Sequence, residues 1–480
     1  MTAVDPGSVT VGIDIGTTAV KAVAVDESGT VLARSRVPHR LISPEPDELE
    51  HDAGRAWRRG PLQALAAVRS PGDPLDGVCV CAMVPSMTAV DRRGRPRSPG
   101  LLYGDARGRR SLEPDSEMAT SSPKQSSVGD TMPDAEGFLR WAAAGTPDAF
   151  GYWPAQAVAN FALSGVAAID SGVALMSGSL LSAGQWDVDK LRDVGVDASQ
   201  MPLIVPMGAR AGTVTGTDAA LAGGTVDALC DQIVSGADNA GDVLVICGAT
   251  LIVWAVVDEH VEGPGVWTIP HTVPGKMLVG GPSNAGALFV DWARSLLHGP
   301  RRPPLSRRRG SSGADGDDGH LPPRRGHPDR VPVWTPYLRG ERVPYNDTTL
   351  RSALQGLDIT HDATALERAA FEATGFVVRH MLDLGQIKAR RIVASGGGTR
   401  VGAWMQALAD AAGLPVDVVA VHEGSALGAA YMARLAAGLE QSFDGARRWA
   451  RVGFRVEPDA VWQEAADKRY ERFRSMGPTT

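Results

Sequence analysis

The chain has 480 residues, of which 48 are Lys or Arg and 55 are Asp or Glu, giving a formal charge of -7. That length exceeds one ordinary domain and calls for two, and the acidic balance leaves no surplus of positive charge to neutralise a nucleic-acid backbone. No apolar run reaches membrane-spanning length, and MTAVDPGSVT lacks a basic stretch followed by an apolar one, so the expectation is a cytoplasmic protein with neither nucleic-acid nor membrane partners.

Val9 to Ile15 and Ala19 to Val25 are rich in Val and Ile and flank Gly16-Thr17-Thr18, which predicts strand, tight turn, strand. Gly16 frees the backbone at the bend, and successive amides there, extended by the hydroxyls of Thr17 and Thr18, can form an anion-binding concavity. Asp14 would repel a phosphate unless a divalent cation lay between them, so the set suits a magnesium nucleotide. The same residues also suit a hairpin whose Asp and Thr cap their own turn. Val78 to Val84 predicts a buried strand, and Gly100-Leu101-Leu102-Tyr103-Gly104-Asp105 follows a polar turn. Arg109 to Asp134, rich in Ser, Pro and acids, predicts a loop. Helices are expected over Ala135 to Ala144 and Pro154 to Leu163, and again after the glycine-rich stretch ending at Gly224.

The opening pattern returns in mid-chain. Asp242 to Cys247 and Leu251 to Val257 predict two strands around Gly248-Ala249-Thr250, as expected if two similar domains each offer a hairpin to one phosphate tail. Arg391 to Ser395 then predicts a strand running into Gly396-Gly397-Gly398, with helical spacing over Trp404 to Ala412. Three glycines between strand and helix let a ligand approach the backbone closely. A dinucleotide fingerprint fails because the sixth position from Gly396 is Val401, and no GxxxxGK[ST] loop occurs. Glu423 to Ala430 opens a helix with small residues on one face, the mark of close helix packing. The four cysteines, Cys79, Cys81, Cys230 and Cys247, lack metal-site spacing and are expected as buried apolar residues.

Taken in order, Asp14 to Thr18, Gly224-Thr225-Val226-Asp227, Gly248 to Thr250, Pro336-Tyr337-Leu338-Arg339-Gly340-Glu341-Arg342, Gly396 to Gly398 and Glu423 to Ala430 resemble the FGGY carbohydrate kinases, with the xylulose kinases as the nearest branch. The resemblance implies an α/β fold of two actin-like, ribonuclease H-like domains with an interdomain cleft. It puts an N-terminal domain at 9–238 with the sugar site and catalytic base, and a C-terminal ATP-binding domain at 239–440. That second domain contains a low-complexity segment at 301–330, and a tail at 441–480 follows. It implies transfer of the ATP γ-phosphoryl group to a hydroxyl of a small-molecule sugar, with D-xylulose expected, another ketose or a polyol or a catalytically weak nucleotide- and sugar-binding pseudokinase as the alternatives, and a homodimer among the assemblies open to it.

Phosphoryl transfer needs a carboxylate to take the proton of the attacking hydroxyl. Asp227 is assigned that role, with Asp231 and Asp218 as competitors, and a carboxylate near its ordinary pKa would serve. Asp227 could equally cap the helix that follows it. Gly16, Thr17, Thr18, Gly248, Thr250, Gly396, Gly397 and Gly398 are assigned to ATP, and Asp14 to Mg2+. By the family pattern, Tyr103, Asp105, Arg107 and Asp227 bind the sugar. Two departures bear on this: Val84-Pro85 stands where xylulose kinases carry Met-His, and Ala249 where the family usually has Thr.

Overall fold

The computed structural model describes residues 7–45, 47–70, 72–112, 134–298 and 326–478. The loop expected over Arg109 to Asp134 and the low-complexity segment at 301–330 therefore lie largely outside the described residues. Arg109 and Arg110 close a short helix, Ala106–Arg110.

The chain divides into two compact units, one of residues 1–236, 272–274 and 423–451, the other of 237–271, 275–422 and 452–480. The first boundary falls within two residues of the expected 238. The later part of the chain departs from a simple succession, because 423–451 clusters with the first unit and 452–480 rejoins the second.

In the first unit the strands of the main sheet, with two more from a smaller sheet, are β1 (Thr10–Ile15), β2 (Ala19–Val25), β3 (Val31–Pro38), β4 (Glu50–His51), β5 (Gly77–Ala82), β6 (Gly100–Leu102), β7 (Arg210–Thr213), β8 (Ala220–Ala222) and β9 (Thr225–Val226), of which β4 and β6 belong to the smaller sheet. The main sheet runs β7-β8-β5-β1-β2-β3, with β9 also on β5. β1 pairs antiparallel with β2 and parallel with β5, and all of its residues are buried, which is why it is apolar on both faces apart from Thr10 and Asp14. The helix Gly424–Ala436 covers it so closely that a Cβ on Gly12 would lie 1.8 Å from the Ala426 carbonyl oxygen. The small residues expected from Glu423 onward thus serve close packing. Cys79, Cys81, Cys230 and Cys247 are buried free thiols.

The second unit repeats the plan. The strands of its main sheet are β10 (Asp242–Cys247), β11 (Leu251–Val257), β12 (Trp267–Pro270), β13 (Met277–Ser283), β14 (Arg391–Ser395), β15 (Val416–Val419) and β16 (Val452–Val456), ordered β12-β13-β11-β10-β14-β15-β16. In each sheet an antiparallel hairpin and a third antiparallel strand lie to one side, and parallel strands to the other. This is the ribonuclease H-like arrangement. Its core gathers Val243 and Val245 with Phe376, Trp404, Tyr470 and Phe473. Both Tyr470 and Phe473 come from the helix Ala460–Met476, so the expected tail at 441–480 supplies core.

Candidate active site

In the first unit three carboxylates converge behind the β1–β2 turn. Asp14 sits near the end of β1, 5% exposed, directly opposite Lys21 on β2. The Lys21 ammonium nitrogen is 3.3 Å from Asp14 Oδ2, and that charge raises the lysine's pKa against the opposing effect of burial. Asp227 follows β9 and is the first residue of the helix Asp227–Ser235. Val226 occupies the capping position, so Asp227 is not the N-cap. Its Oδ1 instead accepts from the Ala228 amide at 2.7 Å.

Burial pushes the Asp227 carboxyl up to about 7, helped by the charges of Asp14 and then Asp231, and opposed by the Ala228 amide and by Lys21. The expectation of an ordinary carboxylate is thereby corrected: neighbouring acids and desolvation both disfavour its charge. Of its competitors, Asp231 is 2% exposed and takes a hydrogen bond from the Ser425 hydroxyl. Asp218 is exposed on a turn before β8.

Gly16, Thr17 and Thr18 form the turn itself, closed by the Gly16 amide donating to the Ala19 carbonyl at 3.1 Å. The Thr17 hydroxyl lies 3.2 Å from that of Tyr103, so the structure brings a predicted nucleotide residue and a predicted sugar residue together. Asp105 and Arg107 are tied to each other. Asp105 is fully buried; Oδ1 accepts from the Arg107 amide at 2.8 Å and Nε at 3.1 Å, and Oδ2 from Arg107 Nη2 at 2.8 Å and the Leu49 amide at 2.7 Å. Arg107 Nη1 also donates to Glu50 Oε2 at 2.7 Å. With four protein donors on it, Asp105 caps the helix Ala106–Arg110 and holds Arg107, while Tyr103 and Arg107 keep part of their surface exposed.

In the second unit Gly248, Ala249 and Thr250 join β10 to β11 and are partly exposed. The helix Ala287–His298 abuts this turn. Its first amides, of Ala287 and Leu288, donate to the carbonyls of Gly248 and Ala249 at 2.8 and 3.0 Å. Gly396 has a φ of +88°, and a Cβ on Gly398 would lie 2.3 Å from the Trp404 ring. A Cβ on Gly397 would meet nothing within 4 Å, so the glycine turn has one open side where a ligand can reach the backbone. The Thr399 hydroxyl bonds the Gly396 carbonyl at 2.7 Å and His422 Nδ1 at 2.8 Å, bracing the turn.

Three contributors escaped the sequence reading. Lys21 was legible in principle, because a hairpin with its turn at Gly16 to Thr18 makes it the partner of Asp14. Glu341 was quoted only as part of a motif. It is 2% exposed and accepts from the Ser283 hydroxyl at 2.6 Å, the Asn284 amide at 2.8 Å and the Arg342 amide at 2.7 Å, with burial pushing it up to about 7. The third, His51, contacts the Thr17 carbonyl.

The donor sets suit a magnesium nucleotide. Beyond the effect of burial, the charges of Asp14 and Asp231 disfavour ionised Asp227, a repulsion that a cation held by Asp14 would relieve, and Mg2+ commonly takes one or two carboxylates beside phosphate oxygens.

The sequence matches the N-terminal domain of the FGGY family of carbohydrate kinases over residues 9–238 and the C-terminal domain over 243–437. It is 25% identical to the xylulose kinase of Escherichia coli K12, covering 97% of this chain and 98% of that one. The autoinducer-2 kinase of Yersinia pestis is likewise 25% identical, over 96% and 93% of the two chains. The crystal structure of xylulose kinase from Rhodospirillum rubrum superposes with a TM-score of 0.72 at 25% identity, over 97% of each chain. With both family domains matched in order on a pair of ribonuclease H-like sheets, the chain belongs to the FGGY family of carbohydrate kinases and is a sugar kinase, a phosphotransferase acting on an alcohol group.

Proposed function

We propose that this kinase phosphorylates D-xylulose to D-xylulose 5-phosphate with ATP and Mg2+. The observation that carries the chemistry is the cluster of Asp14, Lys21 and Asp227 at the β1–β2 turn. Asp227 accepts the proton of the sugar hydroxyl as its oxygen bonds the γ-phosphorus and the bond to the ADP oxygen breaks. Asp14 is the residue to hold Mg2+, which when bound offsets phosphate charge. Held by Asp14, it would also lower the pKa of Asp227 and so increase the fraction of that carboxylate able to act as base at neutral pH.

Gly16 to Thr18, with Gly248, Thr250 and Gly396 to Gly398, are assigned to ATP. Tyr103 and Arg107 line the acceptor side, with Asp105 acting through its hold on Arg107. Xylulose is favoured by the xylulose kinases among the relatives, whereas Val84-Pro85 in place of Met-His, together with the autoinducer-2 kinase match, favours a second reading: another ketose or a polyol. A screen of ketoses and polyols by ADP release tests both, and turnover of D-xylulose slower than that of another sugar discards the first.

A further inference from the structure

The phosphate turn of the first unit is held from behind by an imidazole of fixed tautomer. His51 lies on β4 opposite Gly100 of β6 and is fully buried. Trp57 Nε1 donates to His51 Nδ1 at 3.0 Å. An indole N–H is only a donor, so Nδ1 is the acceptor and the single ring proton sits on Nε2. Nε2 therefore donates to the Thr17 carbonyl, at 2.8 Å. Burial, with the neighbouring His39 adding to it, pushes the imidazole down to about 4 and keeps it neutral. The indole has little room to move. It belongs to the π-helix Gly54–Arg59 and packs on Gly100, where a Cβ would lie 2.4 Å from the ring.

This grip decides which way the turn faces. The Thr17 carbonyl points to His51, and the Thr18 carbonyl accepts from the His39 amide at 3.0 Å. The peptide that carries the Thr17 carbonyl also carries the Thr18 amide, which points the opposite way, and the amides of Thr17 and Thr18 have no hydrogen-bond partner among the described residues. The same strand pair carries the acceptor candidates: β6 runs into Tyr103, which meets the Thr17 hydroxyl, and Leu49, next to β4, donates to Asp105.

We infer that His51, locked by Trp57 as its Nε2–H tautomer, is a positioning residue that turns the Thr17–Thr18 amide edge toward a nucleotide phosphate and ties that edge to the Tyr103 segment; this rests on reading the turn as a phosphate site. Thr17 and Thr18 amide signals in the full chain labelled with 15N-threonine, followed during Mg-ADP titration, test it. In the parent both signals shift on binding. His51→Leu weakens Mg-ADP at least about tenfold and abolishes the shifts. His51→Gln, whose amide offers an N–H to Thr17 and an oxygen to Trp57, recovers affinity to within about threefold. If the Leu variant does not fold, His51→Asn, too short to span both partners, takes its place and should behave as Leu would. Absence of shifts in the parent overturns the phosphate reading and the inference with it. Shifts in the parent that persist with unchanged affinity in the Leu or Asn variant overturn the inference alone.

Discussion

Lys21 reaches across the first hairpin to Asp14, and the pair stands beside Asp227, whose pKa each of them moves in the opposite direction. Asp14 raises it and Lys21 lowers it. Charge at this turn is therefore balanced by one ammonium group against three carboxylates, Asp14, Asp227 and Asp231.

Replacing Lys21 with Met removes a cation that lowers the Asp227 pKa, so the acid limb of kcat/KM moves upward from about 7. Activity at pH 7 then falls about tenfold, while the plateau at high pH falls less. A pH–rate profile of the free enzyme checks this, and an unmoved limb would show that Asp227 does not set it. The Asp14→Asn change should shift the limb downward, and, if Asp14 holds Mg2+ as proposed, weaken nucleotide affinity.

Asp227→Asn is expected to lower kcat about 100- to 10,000-fold with Mg-ADP binding retained. It also carries a stability signature. The folded-state pKa of about 7 lies above the ordinary 3.8, so the protonated carboxyl favours the folded state, fully below pH 3.8, and that advantage is lost as pH rises through about 7. The Asn variant should accordingly gain in Tm over the parent at pH 8 and not at pH 4. Equal differences at both pH values would contradict the raised pKa.

Glu341 supports the second glycine turn indirectly, through Ser283 and Asn284 at the end of β13 just before the helix that abuts Gly248 and Ala249. Glu341→Ala leaves the buried Ser283 hydroxyl and two half-buried amides without an acceptor and should cost about 2–4 kcal/mol. Glu341→Gln keeps an oxygen for the two amides and should cost about 1 kcal/mol or less while removing the loss of stability that the parent shows as pH rises through about 7. Chemical denaturation at pH 6 and 8 reads both.

Gly12→Ala tests the closest packing in the first unit. The added methyl would lie 1.8 Å from the Ala426 carbonyl oxygen and 2.4 Å from the Ala430 amide nitrogen, both backbone atoms that cannot rotate away. Overpacking of a strand against a helix on this scale should cost about 3 kcal/mol or more, visible as a lowered Tm or insoluble protein. Gly397→Ala, which meets nothing, should leave Tm unchanged and weaken Mg-ADP.

The hairpins at Asp14 to Thr18 and Gly248 to Thr250, the strand before Gly396 and the helix after Thr225 were legible because each depends on local signals: apolar runs, a glycine bend, a helical spacing. What escaped depends on pairs distant in sequence. No spacing announces that His51 will sit opposite Gly100, or that Glu341 will close on Ser283. The raised pKa of Asp227 escaped for the same reason, since it needs β1, β9 and the following helix to bring acids together. Asp105 was found as a residue of interest, but its four donors come partly from Leu49, so only the folded chain shows how fully it is engaged.

The helix that covers β1 is encoded at Gly424–Ala436, about 400 residues after the strand it shields. During synthesis β1 and β5 therefore emerge with one apolar side bare, and Gly12 and Gly77 wait for a partner made several hundred residues later. A ribosome-bound chain that ends before residue 424 has every strand of its first main sheet but lacks the helix that covers β1. Folding of the two halves is thus not a succession in time, even though their family domains follow one another along the gene product.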